Sequence, residues 1–182
     1  MKLSDDELVV NCLAGGKDAF SVIINRYKDR IYNFAFRLLL NEEDASDVAQ
    51  EAFIRCYYSL SKYKLETKFS SWLFRITHNL AIDRLRKRGR EIEIEEEIAD
   101  TKPSSEILAQ QKELKEKIDV AIQFLRSSYR AVVTLFHIEG LSYEEIGKVL
   151  GLPIGTVKTH LYRGREILKE RLKKWTAGYL ES

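Results

Sequence analysis

Lys158, Thr159, Tyr162 and Arg163, with Arg165 and Lys169 beside them, place donor groups at helical spacing opposite the apolar pair Val157 and Leu161. Ammonium, guanidinium, hydroxyl and phenol groups of this reach meet base edges and phosphates when a helix enters a DNA major groove. His160 lies in the same basic stretch and is expected to approach a phosphate. A second set lies far upstream. Trp72, Arg75, Asn79, Asp83 and Arg86 recur every three or four residues, on a face apart from Leu73, Ile76 and Leu80. A ring, an amide and guanidinium groups in one line suit unstacked bases and their phosphates. Tyr63 and Phe69 gather near Trp72 in the preceding loop. The same spacing fits an aromatic core, and the residues alone leave both readings open.

Enzymatic chemistry finds no comparable support. His78, His137 and His160 fall on separate predicted helices, without HExxH spacing or a neighbouring cysteine motif. Cys12 and Cys56 are too few for a disulfide framework or a zinc knuckle. There is no glycine-rich phosphate loop and no GxSxG elbow. No catalytic residue, metal site or cofactor is therefore expected.

The net charge is only +2 over 182 residues, but the charges are segregated. Residues 84–90, RLRKRGR, carry five basic side chains, and EIEIEEEIAD follows with six carboxylates. From Pro153 to Lys174 there are seven Lys or Arg against two Glu. One such run is ordinarily a solvated helix face. Two, each ending a patterned helical segment, suggest two contacts with a polyanion and a spacer that avoids it. With no apolar run of about 18 residues and no basic-then-apolar leader in MKLSDDELVV, a cytoplasmic protein without membrane insertion is expected.

These residues must be positioned by helices, because the apolar period is helical almost throughout. Phe20, Ile23, Ile24, Tyr27, Ile31, Phe34 and Leu38 form one stripe. Asn41 reads as an N-cap for the next, which holds Val48, Ala49, Ala52, Phe53, Cys56, Tyr57 and Leu60, with Cys56 as a small core residue. A loop is predicted over 61–68 and a helix over 71–87. The IEIEEEI alternation has no partner strand, and residues 91–105 read as a flexible acidic linker. Beyond it, Ile107, Leu108, Gln111, Leu114, Ile118, Ile122 and Leu125 share a face, and Ser128–Glu139 is a second apolar segment closed by Gly140. Ser142 with Glu145 spells a capping box, Gly151 a tight turn, and Pro153 the start of the helix carrying Ile154, Val157, Leu161, Leu168 and Leu172. Helix, glycine turn and basic helix in that order spell a helix-turn-helix. The fold class is all-α: two small helical domains, 1–90 and 106–176, joined by the flexible acidic linker 91–105 and followed by a tail, 177–182.

Two stretches carry a family resemblance. DASDVAQEAFIRCY followed by FSSWLFRITHNLAIDRLRKR resembles region 2 of a bacterial sigma factor. LRSSYRAVVTLFHIEGLSYEEIGKVLGLPIGTVKTHLYRGREILKERL resembles region 4. The presence of these two regions alone, in this order and joined by a short linker, is similar to the extracytoplasmic-function (ECF, group IV) sigma factors of the sigma-70 family. The resemblance implies a factor that binds core RNA polymerase through its β′ clamp helices and β flap and directs it to promoter DNA. It also implies an anti-sigma factor as a partner.

Particular positions then acquire expected roles. Asp47, Gln50 and Glu51 match the face that docks on the clamp helices. Asn79 and the loop residues Tyr63, Lys64, Thr67, Lys68 and Phe69 match the part that captures a flipped minus-10 base, with Trp72 against the separating strands. Asp83 lies on the same face, and Arg84, Arg86, Lys87 and Arg88 are expected on phosphates. Lys158, Thr159, Tyr162 and Arg163 match the minus-35 readers, with His160 and Arg165 beside them. The pattern lapses at Phe136, where relatives commonly carry Lys or Arg. Two other readings compete: a helix-turn-helix activator or repressor with an N-terminal sensor or dimerisation domain, and, lower, a nucleic-acid-processing enzyme.

Overall fold

The computed structural model describes residues 3–91 and 118–180, and side chains up to residue 173 apart from Lys17, Arg90 and Glu91. Every regular element among them is helical. The linker expected over 91–105 and the apolar face from Ile107 to Leu114 lie almost wholly outside the described residues.

The first module is built from α1 (Asp5–Leu13), α2 (Lys17–Leu39), α3 (Glu42–Ser59) and α4 (Phe69–Glu91). Ser4 and Glu7 close a reciprocal capping box at the start of α1. This short helix then anchors its neighbours: Asp5 takes hydrogen bonds from Arg26 and Tyr27, each at 2.5 Å. The stripe read on α2 is the core face, with Ile23, Ile31 and Phe34 fully buried. Leu40 ends α2 in the left-handed region at φ 52, and Asn41 caps α3 by accepting the Asp44 N–H at 2.9 Å. Phe34 meets Phe74 of α4 edge to face at 5.2 Å, which closes the three-helix core. Cys56 is fully buried in it, and burial pushes its thiol up to about 12, leaving an inert apolar residue.

The second module contains α5, described from residue 118 to 123, α6 (Ser127–Val133), a π turn (Thr134–Ile138), α7 (Tyr143–Leu150) and α8 (Ile154–Leu180). Ile122 and Leu125 are buried as their spacing predicts, whereas Ile118 is 38% exposed. The capping box at Ser142 is made in both directions: Glu145 N–H donates to Ser142 Oγ at 3.2 Å and Ser142 N–H to Glu145 Oε2 at 2.7 Å. Gly151 ends α7 at φ +68, a conformation that a Cβ would strain, and the chain enters α8 after Pro153. The α7–α8 turn is tight. A Cβ at Gly147 would lie 2.9 Å from the Leu152 carbonyl, which sets how closely the two helices approach.

Candidate nucleic-acid interface

The basic face of α8 forms because Val157 and Leu161 bury themselves against the module and leave the other side in solvent. Lys158, Thr159, Tyr162, Arg163 and Arg165 are exposed, with Tyr162 66% accessible. Their side chains are not all free. Thr159 donates its hydroxyl to the Gly155 carbonyl one turn back, and the Arg163 guanidinium reaches the Tyr129 hydroxyl at 3.4 Å. The Lys158 ammonium sits 5.6 Å from the Tyr143 ring centre. Arg165 lies 5.2 Å over Phe136 and donates to His137 Nε2 at 3.0 Å. Phe136 is thus the platform on which the Arg165 cation of α8 rests. Partial burial and the neighbouring Arg165 charge lower the His137 pKa, keeping the acceptor nitrogen unprotonated at neutral pH.

His160 departs from its expected role. It is half-buried, stacked edge-on against Tyr129 at 5.1 Å, with a buried Nδ1, so its ring spaces α8 from α6 and does not face the groove. Gly164 allows that approach, since a Cβ there would stand 2.7 Å from Val133 Cγ2.

The upstream loop separates into core and surface. Tyr63 and Phe69 are 8% and 2% exposed and form a tilted cluster with Trp72 at 5.3–5.9 Å. The Tyr63 hydroxyl is held between the Asp6 carboxylate and the Thr67 carbonyl. Burial and the Asp6 carboxylate push its pKa up, outweighing the opposite effect of the Thr67 contact, so it stays a neutral donor. Tyr63 and Phe69, expected to meet a flipped base, are therefore the framework that shapes the loop. Lys64, Thr67 and Lys68 are its outward side chains, although Thr67 also donates to the Lys64 carbonyl at 2.9 Å. Trp72 is half-buried, and Asn79 is exposed one face away from the core.

Beyond Asn79, α4 runs along α3 beside an open cleft of about 440 Å³ lined by Asp47, Glu51, Arg55, Asp83, Arg84, Arg86 and Lys87. Arg84 Nε donates to Asp44 at 2.6 Å and Nη2 to Asp47 at 2.8 Å, while Arg88 lies 3.5 Å from Asp44. In the free chain these two guanidiniums are paired with α3 carboxylates. Arg86 and Lys87 point outward, Arg86 in loose contact with Asp83 at 3.8 Å. On α3 itself, Asp47 and Gln50 are exposed, and Glu51 is bonded to Arg55 at 2.8 Å. Ile54 and Tyr58 continue this face and are 50% and 81% exposed. Neither belongs to the core stripe of the sequence, so no apolar period marks them.

Comparison with known proteins places both modules. Residues 23–91 match the family described as Sigma-70 region 2, and residues 115–168 match Sigma-70, region 4. The ECF RNA polymerase sigma factor SigW of Bacillus subtilis is 42% identical over 171 residues, covering 87% of this chain and 91% of that one. The chain belongs to the ECF sigma factors of the sigma-70 family. The ECF sigma factor SigE of Mycolicibacterium smegmatis is 39% identical over 166 residues, covering 88% of this chain and 64% of the other. Among solved structures, the sigma factor RpoE in complex with the anti-sigma factor NepR from Bartonella quintana superposes with a TM-score of 0.68 at 26% identity, over 85% of this chain and 96% of its own. In this sigma factor, no group of His, Cys, Asp or Glu among the described residues is arranged to hold a metal ion. No described helix is long and apolar enough to cross a membrane.

Proposed function

We propose that this sigma factor docks on core RNA polymerase through α3, reads the minus-35 element as duplex with α8, and traps opened minus-10 bases with α4 and its preceding loop. One observation carries the reading: two donor-rich surfaces of different chemistry, on separate modules, flank a distinct exposed face on α3. Asp47, Gln50 and Glu51, with Ile54 and Tyr58 beside them, offer carboxylates around an apolar centre, a composition that suits a basic protein surface. Lys158, Tyr162, Arg163 and Arg165 suit phosphates and base edges. Asn79, with Lys64 and Lys68 nearby, suits a base outside the stack. The polymerase performs phosphoryl transfer and this chain supplies recognition, acting in the cytoplasm. The sigma factor RpoE of Bartonella quintana forms a solved complex with the anti-sigma factor NepR, and an anti-sigma factor is the regulator we assign here. An activator or repressor would need none of the α3 face.

The α3 assignment is tested by fluorescence titration of core polymerase. Asp47→Ala with Glu51→Ala should weaken core binding at least tenfold while helicity is unchanged. Each exposed pair contributes little alone, but a cluster inside an interface contributes a few kcal/mol. Unchanged affinity would remove α3 from the interface.

A further inference from the structure

The cations on the reading face of α8 are held differently from those of the first module. On α2, α3 and α4, guanidiniums lie against carboxylates: Arg26 on Asp5, Arg55 on Glu51, Arg84 on Asp44 and Asp47. Among the described residues, no carboxylate pairs with Lys158, Arg163 or Arg165. Their partners are neutral. Lys158 stands over the Tyr143 ring at 5.6 Å and Arg165 over the Phe136 ring at 5.2 Å, while Arg163 meets the Tyr129 hydroxyl. The Phe136 and Tyr143 rings are themselves stacked, 5.2 Å apart and 11° from parallel. Lys158 and Arg165 are seven residues apart, about two helical turns, so both lie along one side of α8 and face this pair. Phe136 belongs to the π turn, in which the Glu139 N–H donates to the Thr134 carbonyl at 3.1 Å. Its neighbour His137 accepts the Arg165 Nε–H on Nε2 at 3.0 Å. With its pKa lowered, that imidazole brings no charge of its own at neutral pH.

We propose that Phe136, His137 and Tyr143 are positioning residues for minus-35 reading, a neutral cradle that orders Lys158 and Arg165 before DNA arrives without neutralising them. The inference rests on the reading of α8 as the duplex-reading helix. A carboxylate would orient a cation equally well, but a phosphate would then have to displace it. A ring attracts a cation through its quadrupole and carries no net charge, so the whole unit charge remains for the phosphate. An exposed Lys or Arg otherwise loses rotamer freedom as it binds, and ordering it beforehand removes that cost from association. The π turn and the start of α7 thus act on DNA through α8, without touching the duplex themselves.

The hold is read in the free chain and its consequence in the holoenzyme. By nuclear spin relaxation, the Arg165 Nε–H should be ordered on the nanosecond scale in the wild type. In Phe136→Leu, which keeps an apolar side chain and removes the ring, it should loosen toward the mobility of exposed Arg75. Phe136→Tyr keeps the ring and should match the wild type. Holoenzyme is then titrated with a promoter duplex selected from random sequence using the wild-type protein. Phe136→Leu should weaken binding about two- to tenfold, the cost of ordering one long side chain, with an unchanged salt slope. Arg165→Ala should instead flatten the slope by about one, and in that background Phe136→Leu should cost nothing further. Phe136→Glu, which holds the same guanidinium with a charge, should flatten the slope as Arg165→Ala does. An Arg165 side chain as mobile in the wild type as Arg75 would overturn the cradle, as would a wild-type slope in Phe136→Glu. So would Phe136→Leu binding as tightly as the wild type, or losing as much without Arg165 as with it, since a general loosening of the module does not depend on that cation. Lys158→Ala and Arg165→Ala that leave affinity and slope untouched would instead overturn the reading of α8, and would leave an ordered Arg165 standing.

Discussion

At the level of single residues, the least expected feature is Arg130. It is 7% exposed, and its Nε and Nη1 lack partners. Burial lowers its pKa to about 10, so the fold works against this charge. Replacing it with an apolar residue of similar length removes the penalty, and buried cations commonly give way to apolar groups at no cost. Arg130→Met should leave stability unchanged or raise it by about 1 kcal/mol in urea denaturation. A loss of more than about 2 kcal/mol would show that the orphaned donors are satisfied within the fold. The residues legible in the sequence were those whose role follows from their own helix: Val157 and Leu161 buried, Lys158, Tyr162 and Arg163 outside, Cys56 in the core. Other side chains are placed by a second element. The resemblance puts Arg84 on a phosphate, and in the free chain it is paired with Asp44 and Asp47, 40 and 37 positions earlier. His160 was assigned from its basic neighbours, yet Tyr129 on α6 decides where its ring goes.

Among the elements, helix boundaries followed local chemistry. Asn41 caps α3 and Ser142 with Glu145 caps α7, because the side chain that satisfies the first N–H groups sits within three residues. The predicted 71–87 helix is longer, Phe69–Glu91, since Phe69 is drawn into the core and nothing in the basic run breaks the helix until its end. Gly89 interrupts nothing; a Cβ there would meet open space. Helix α1 went unread, since its value lies in carboxylates that reach Arg26, Tyr27 and Tyr63 from far away in sequence. The glycines that matter are those under contact. Gly147→Ala would press a Cβ onto the Leu152 carbonyl at 2.9 Å, where backbone cannot yield cheaply. It should destabilise the second module by about 1–3 kcal/mol and weaken minus-35 duplex binding, while Gly155→Ala, with open space around it, changes neither. Thermal unfolding and a duplex titration of both variants check this. Equal behaviour would mean that the turn relaxes freely.

Across the whole molecule, ion pairs outside the charged runs of the sequence join the two modules, Arg30 to Glu139, Arg37 to Asp119 and Lys68 to Glu145. Burial alone would raise the Glu145 carboxyl, but Lys68 and the Ser142 N–H outweigh it and keep it below its ordinary 4.5. A depressed carboxyl contributes stability above the unfolded value and loses it as pH falls through the folded one. The Lys68 contact and the α7 cap should therefore be intact at pH 6 and weaken below about pH 4.5. Glu145→Gln should flatten that part of an acid titration followed by near-ultraviolet circular dichroism. An unchanged acid profile would remove Glu145 from the account. The central claim is that duplex reading and base trapping sit on different modules of a polymerase-bound factor. Run-off transcription with core polymerase on closed and pre-melted minus-10 templates tests it most directly. Arg163→Ala should lose about 10- to 100-fold on both templates, the equivalent of about 1–3 kcal/mol of contact. Asn79→Ala should fail on closed duplex and recover most of its activity on the bubble, where the base is already out of the stack. Rescue of both variants by the bubble, or of neither, would contradict the division.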